Sequence, residues 1–211
     1  MHNKLVYMLV PFAVLMASCA TSPQVNLPKL PQTVTRVYID GASFEPPHAD
    51  VWYVETHTPY KAALVTPHAD INETTAVEIQ LYKNPNPTST PVSEAEYVQQ
   101  VRQGEEKDTD PKRFTMQIHE VTAAKVGKAI CARSYSLATD HAPHTASHNG
   151  KPMLLEISAL NCLHPDDPRV GVNVSLSDRY YPGDQDPDFK ATAAKMLDSV
   201  ELSKLNEGKA N

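Results

Sequence analysis

The feature that most limits the fold is a pair of cysteines, Cys131 and Cys162, each set in a run of strand-like composition, 129–139 and 153–162. If the runs form an antiparallel hairpin, a bond between the cysteines also fixes its register. Cys131 opposite Cys162 places Ala138 opposite Leu155 and leaves residues 140 to about 151 as a polar loop. The bond would enclose thirty residues, worth about 3–4 kcal/mol in the chain-entropy model. No C-x-x-C motif occurs, so a thioredoxin-like role has no support.

Whether two thiols oxidise depends on the compartment, and the N-terminus supplies it. Residues 1–18 have the parts of a secretory signal: a basic start at Lys4, an apolar run from Leu5 to Met16, and the small residues Ala17 and Ser18. The run is too short to cross a bilayer, which takes about 20 helical residues. In the oxidising space beyond the inner membrane, an isolated cysteine pair is a disulfide first and a metal or redox site second.

The third cysteine follows the signal directly. Met16-Ala17-Ser18-Cys19 resembles the bacterial lipoprotein lipobox, with Met16 where leucine is usual. The resemblance implies that the Cys19 thiol receives a diacylglycerol, that cleavage exposes its amine, and that a further acyl chain follows. Two or more chains make membrane attachment durable where one does not. An aspartate after the cysteine usually marks inner-membrane retention. Ala20 stands there instead, which implies the periplasmic face of the outer membrane.

Thr21 to Gln32 has three prolines and no periodicity, so residues 19–32 read as an acylated cysteine and an extended tether, reaching some 35 Å at about 3 Å per residue. Residues 33–203 suit one globular domain, and 204–211 a flexible tail. Removing Lys4 with the signal makes the net charge one unit more negative than −6, and no cluster of Lys and Arg remains to hold nucleic acid. The expected partners are the membrane, through Cys19, and another envelope protein.

Strand patterns occur at 35–39, 51–54, 62–65, 76–81, 114–118 and 170–177. In the last, Val170, Val172, Val174 and Leu176 are expected inward, and Gly171, Asn173, Ser175 and Ser177 outward. Ser93 and Glu96 form a capping box, and Val92 with Tyr97 a hydrophobic staple, for a helix over about 94–103 that Gly104 stops. Its stripe is Tyr97, Val98 and Val101. A second helix, about 187–202, should open with Asp186 as cap and Pro187 first, and bury Phe189, Ala193, Met196, Leu197 and Val200. Strands in runs and two separated helices predict an α+β fold with a largely antiparallel sheet and one disulfide. The strand ending Ser175-Leu176-Ser177-Asp178-Arg179, the turn Pro182-Gly183-Asp184 and the helix ending Met196-Leu197-Asp198-Ser199-Val200 are similar to the close of PsbP-like α/β/α domains. That likeness spans about a quarter of the chain and carries over no functional residue.

Three constellations offer chemistry. His141, His144 and His148 in the hairpin loop are spaced so that imidazoles could meet on Zn or Cu, the basis of an alternative reading as a metal-binding protein or metal-dependent hydrolase. Pro143 interrupts that spacing. The tetrapeptide Pro-His-Ala-Asp occurs at 47–50 and 67–70, beside strand ends, where turn chemistry explains it. Asp184, Asp186 and Asp188 resemble a calcium loop, but Phe189 and Lys195 stand where an EF-hand needs Gly and Glu. Gly-x-Ser-x-Gly and His-Glu-x-x-His are both missing. The sequence thus points to an envelope binding or interaction domain without an assignable reaction or cofactor.

Overall fold

A computed structural model describes residues 26–47, 51–70, 72–83, 93–141 and 150–205. The chain runs β1 (Val37–Ile39), β2 (Ala42–Phe44), β3 (Tyr53–His57), β4 (Lys61–Pro67), β5 (Thr74–Lys83), α1 (Glu94–Asp108), β6 (Phe114–Val126), β7 (Ala129–Asp140), β8 (Met153–Leu163), β9 (Val170–Tyr180), α2 (Phe189–Asp198) and β10 (Glu201–Leu202). The cysteine hairpin is β7 and β8. Cys131 pairs with Cys162 and Ala138 with Leu155, in the expected register, and a disulfide joins cysteines whose Cα atoms lie 4.1 Å apart.

Seven strands form one antiparallel sheet in the order β3-β4-β5-β9-β8-β7-β6, and β1, β2 and β10 form a second, small sheet. The fold is α+β, as the runs of strands predict. Because side chains alternate across a strand, the register sorts the large sheet into two faces. On one lie Leu64, Val77, Ile79, Leu160, Val174 and Leu176, which pack with Phe44 of the small sheet and with Phe189, Ala193, Met196 and Leu197 of α2. Full burial of a side chain such as Leu197, 1% exposed, contributes roughly 1.5–3 kcal/mol. On the other face, Tyr97 of α1 packs with Val121, Ala132 and Leu163, flanked by Val98 and Val101.

Several boundaries differ from the sequence expectation, each for a local reason. α1 does not stop at Gly104 but continues to Asp108, where Thr109 closes it by bonding its N–H and hydroxyl to the Glu105 carbonyl. A glycine inside a helix costs about 1 kcal/mol, which the contacts of Glu105 described below offset. The Ser93 cap is present, its Oγ accepting from Glu96 N–H at 3.2 Å, while Val92 lies outside the described residues. α2 is shorter than 187–202. Asp186 accepts the Asp188 N–H in a turn before the helix, so the helix opens at Phe189. It ends where the Ser199 hydroxyl caps the Met196 carbonyl and Arg36 takes the Ser199 carbonyl, freeing 201–202 to pair with β2.

The tether also docks earlier than residue 33. Leu30 N–H bonds the Trp52 carbonyl, Val54 N–H bonds the Pro28 carbonyl, and Leu30 is buried. Residues 28–30 thereby cover the outer edge of β3, whose polar groups would otherwise be open to another chain. At the other terminus, Leu205 N–H bonds Asp166, so the first residues of the expected tail are tied down.

Candidate functional site

The face expected to be wet is only half covered. α1 lies across β6 and β7 and leaves a cleft of about 310 Å³ beside its C-terminal turn. The floor is apolar: Phe114, Met116, Ala138, Leu155 and Ile157. Two features of the chain build it. First, β6 slips register between Met116 and Ile118, so that Met116 opposes Ala138 and Phe114 opposes Asp140. A bulge of one residue reverses the alternation beyond it, and it turns Met116 and Phe114 onto the α1 face rather than the α2 face. Second, the extension of α1 past Gly104 adds Glu105 and Asp108 to the helix side that carries Val98 and Val101, at helical spacing. Both acidic residues line the cleft.

Glu105 organises the polar wall. Its Oε2 lies 2.8 Å from His119 Nε2, its Oε1 accepts from the Ser134 hydroxyl at 2.7 Å, and Asn161 Nδ2 reaches Oε1 at 3.5 Å. Asn161 in turn accepts from Asn173 Nδ2 at 2.9 Å. Asn173, expected to face water, is instead half buried in this network. Serine, carboxylate and imidazole are all present, but not in catalytic order. The carboxylate stands between the other two, so the imidazole does not receive the hydroxyl proton as a serine nucleophile requires.

Beyond Phe114 the wall is an ion pair. Arg113 binds both oxygens of Asp140, at 2.9 and 2.7 Å, and lies 4.6 Å over the Phe114 ring. Asp140 is 1% exposed, and Arg179 Nη1 is 3.7 Å from it. Hydrogen bonding to Asp140 holds the Arg113 proton more firmly than in a free guanidinium. A second polar group interrupts the opposite face. Glu156 accepts from the hydroxyls of Tyr135 and Tyr180, and its register partner Asp178 accepts from Thr75 at 2.8 Å. Burial raises the Asp178 pKa, and burial also raises those of Tyr135 and Tyr180.

Of the residues singled out from sequence, Cys19, His144, His148 and the His48–Asp50 copy lie outside the described residues. His141 directly follows β7, with its N–H on the Arg113 carbonyl and its Nε2 2.9 Å from the Thr115 hydroxyl. Among the described residues, no group of three or more His, Cys, Asp or Glu is placed to hold a metal. His68 bonds Thr75, and Asp70 accepts the Asn72 N–H, which is turn chemistry. Asp184 closes the Tyr181–Asp184 turn, whose third residue, Gly183, has φ of 110°. Glu105, Asp108 and His119 were not singled out. The signal for the first two was the stripe Val98, Val101, Glu105, Asp108, hidden by reading Gly104 as a stop.

Architecture defines the class: an α+β domain whose antiparallel sheet carries a helix on each face. No family model and no curated protein matches the chain. Among solved structures it is similar to LpqN, involved in cell envelope biogenesis of Mycobacterium tuberculosis, with 17% identity, a TM-score of 0.46, and coverage of 78% of this chain and 86% of that one. It is also similar to the Ran-binding protein Mog1p of Saccharomyces cerevisiae, with 8% identity, a TM-score of 0.45, and coverage of 79% and 94%. Neither likeness extends to function at these values.

Proposed function

We propose that this chain is a lipid-anchored protein of the bacterial cell envelope, held at the periplasmic face of the outer membrane by Cys19, and that its domain binds a ligand in the α1 cleft rather than catalysing a reaction. The anchor rests on the signal-like residues 1–18 and on Met16-Ala17-Ser18-Cys19. The single observation that carries the binding role is the cleft itself: an apolar floor, opened by the β6 bulge, beside a polar wall whose Glu105 is fixed by three donors. A concave site with an apolar lining and a few oriented polar groups is the usual form of a small-ligand site. Fixing Glu105 in advance removes part of the ordering cost of binding.

Two variants test the halves separately. Cys19→Ser should release the chain from the membrane fraction and abolish palmitate labelling; a mutant that still labels refutes the anchor. Ser136→Trp puts a large ring into the cleft from a half-buried strand position, where aromatic residues are well tolerated. It should strip co-purifying small molecules, seen by native mass spectrometry, from an otherwise folded protein. An unchanged ligand profile would refute the cleft as the binding site.

A further inference from the structure

The cleft also states the sign of charge that it accepts. Among the described residues it is lined by two carboxylates, Glu105 and Asp108, and by no lysine or arginine. The guanidinium of Arg113, next to Phe114 in the chain, directs Nε and Nη2 to Asp140 and lies over the Phe114 ring. Among the described lining residues His119 alone could add positive charge, and one imidazolium would not outweigh two carboxylates. Asp108 is exposed and makes no hydrogen bond or ion pair among the described residues. Ser136, on the floor side, likewise has a hydroxyl without a partner there. A ligand with a cationic end meets two open acceptors, Asp108 and Ser136, beside the fixed charge of Glu105. An anionic end would meet like charge with no lysine or arginine among the described lining residues to compensate it.

We infer that the cleft binds an organic cation with an apolar body, an alkyl or aryl ammonium, with the body on Met116, Leu155 and Ile157 and the ammonium toward Asp108 and Glu105. This rests on the reading of the cleft as a binding site given above. The volume of about 310 Å³ is at the small end of ligand pockets, so the body is a short chain or a single ring rather than a whole lipid. Charge attraction at a partly exposed site is screened by water and salt, so the preference is moderate and falls as salt rises.

The test uses the full chain carrying Cys19→Ser, with the methionine methyl groups labelled for NMR and three probes of one chain length: octylammonium, octanol and octanoate. Met116 is 39% exposed and reports the cleft, while Met153 and Met196 are buried at 1% and 2% and serve as controls. The expected result is that octylammonium shifts the Met116 methyl and binds about tenfold more tightly than octanol or octanoate. Asp108→Asn, at an exposed position, should narrow that preference several-fold without weakening octanol, and Glu105→Gln should narrow it further. If octanol or octanoate moves Met116 at the same concentrations as octylammonium, the cleft binds but the charge inference is wrong. If no probe moves Met116, both the inference and the binding role fall.

Discussion

Gly171 offers the most direct test of how the α1 face is built. It sits in β9 opposite Tyr82 of β5, and the Tyr82 ring lies flat across it. A Cβ at position 171 would stand 2.6 Å from ring atom Cε1 and closer still to Cζ, so alanine cannot enter unless the ring leaves. The obstacle is the body of the ring rather than a flexible tip. Overpacking of this kind costs about 1–3 kcal/mol. Gly171→Ala should therefore destabilise by about 1–3 kcal/mol in urea unfolding. In a Tyr82→Ala background the same change should be neutral or mildly stabilising, because alanine restricts the unfolded chain more than glycine does. The double-mutant cycle isolates the steric term. Equal costs in both backgrounds would refute the ring-over-glycine argument.

Three further outcomes follow from the geometry. Replacing both Cys131 and Cys162 by Ala should cost about 3–4 kcal/mol, and thiol titration of the unfolded, unreduced mature protein should find neither cysteine free; a reactive thiol at either position contradicts the bond. Arg113→Met removes the two-point partner of a carboxylate that is 1% exposed, while Arg179 stays 3.7 Å away, so the loss should fall near the lower end of the about 3–5 kcal/mol typical of broken buried pairs; recovery in Arg113→Met with Asp140→Leu would separate stranded charge from lost packing. The carboxyl of Asp178 is raised by burial, so the folded chain binds its proton more readily than the unfolded one: its contribution is fully present below the unfolded value of about 3.9 and is lost as pH rises through the folded value. Asp178→Asn should accordingly raise the urea midpoint at pH 7 and lose that advantage near pH 4; an equal effect at both pH values would show that the charge is not the cause.

What the sequence made legible was whatever a short period or a covalent pair determines. The alternation of β9 marked Val172, Val174 and Leu176 as core, the stripe of α2 marked Phe189 to Leu197, and the cysteines gave the hairpin register without error. What escaped depended on contacts between segments far apart. Gly104 is a stop by local propensity, and it becomes helix interior only because Glu105 finds His119 and Ser134 on other strands. The bulge in β6 is invisible in Phe114 to Ile118, which alternates acceptably in either register. Its consequence, two apolar side chains on the polar face, appears only once β7 is laid beside it. Leu30 looked like part of a tether because no local pattern says that it fills a space beside β3.

Two of these misses, the helix past Gly104 and the β6 bulge, share a location, and the location bears on function. The α2 face is mostly a packed apolar core, so periodicity identifies most of it. On the α1 face a single helix covers part of a wide sheet, and the strands there carry both polar and apolar residues. Met116 is left 39% exposed on an apolar floor, and Glu105, Ser134, Asn161 and Asn173 form a chain of hydrogen bonds along the uncovered edge of α1. A sequence under selection for packing alone would give that floor a longer helix or polar strand residues, since exposed apolar area invites association. Keeping the floor apolar while fixing a carboxylate at its rim stabilises neither the helix nor the sheet as well as plain packing would. That local cost is expected where a chain keeps a surface for a ligand.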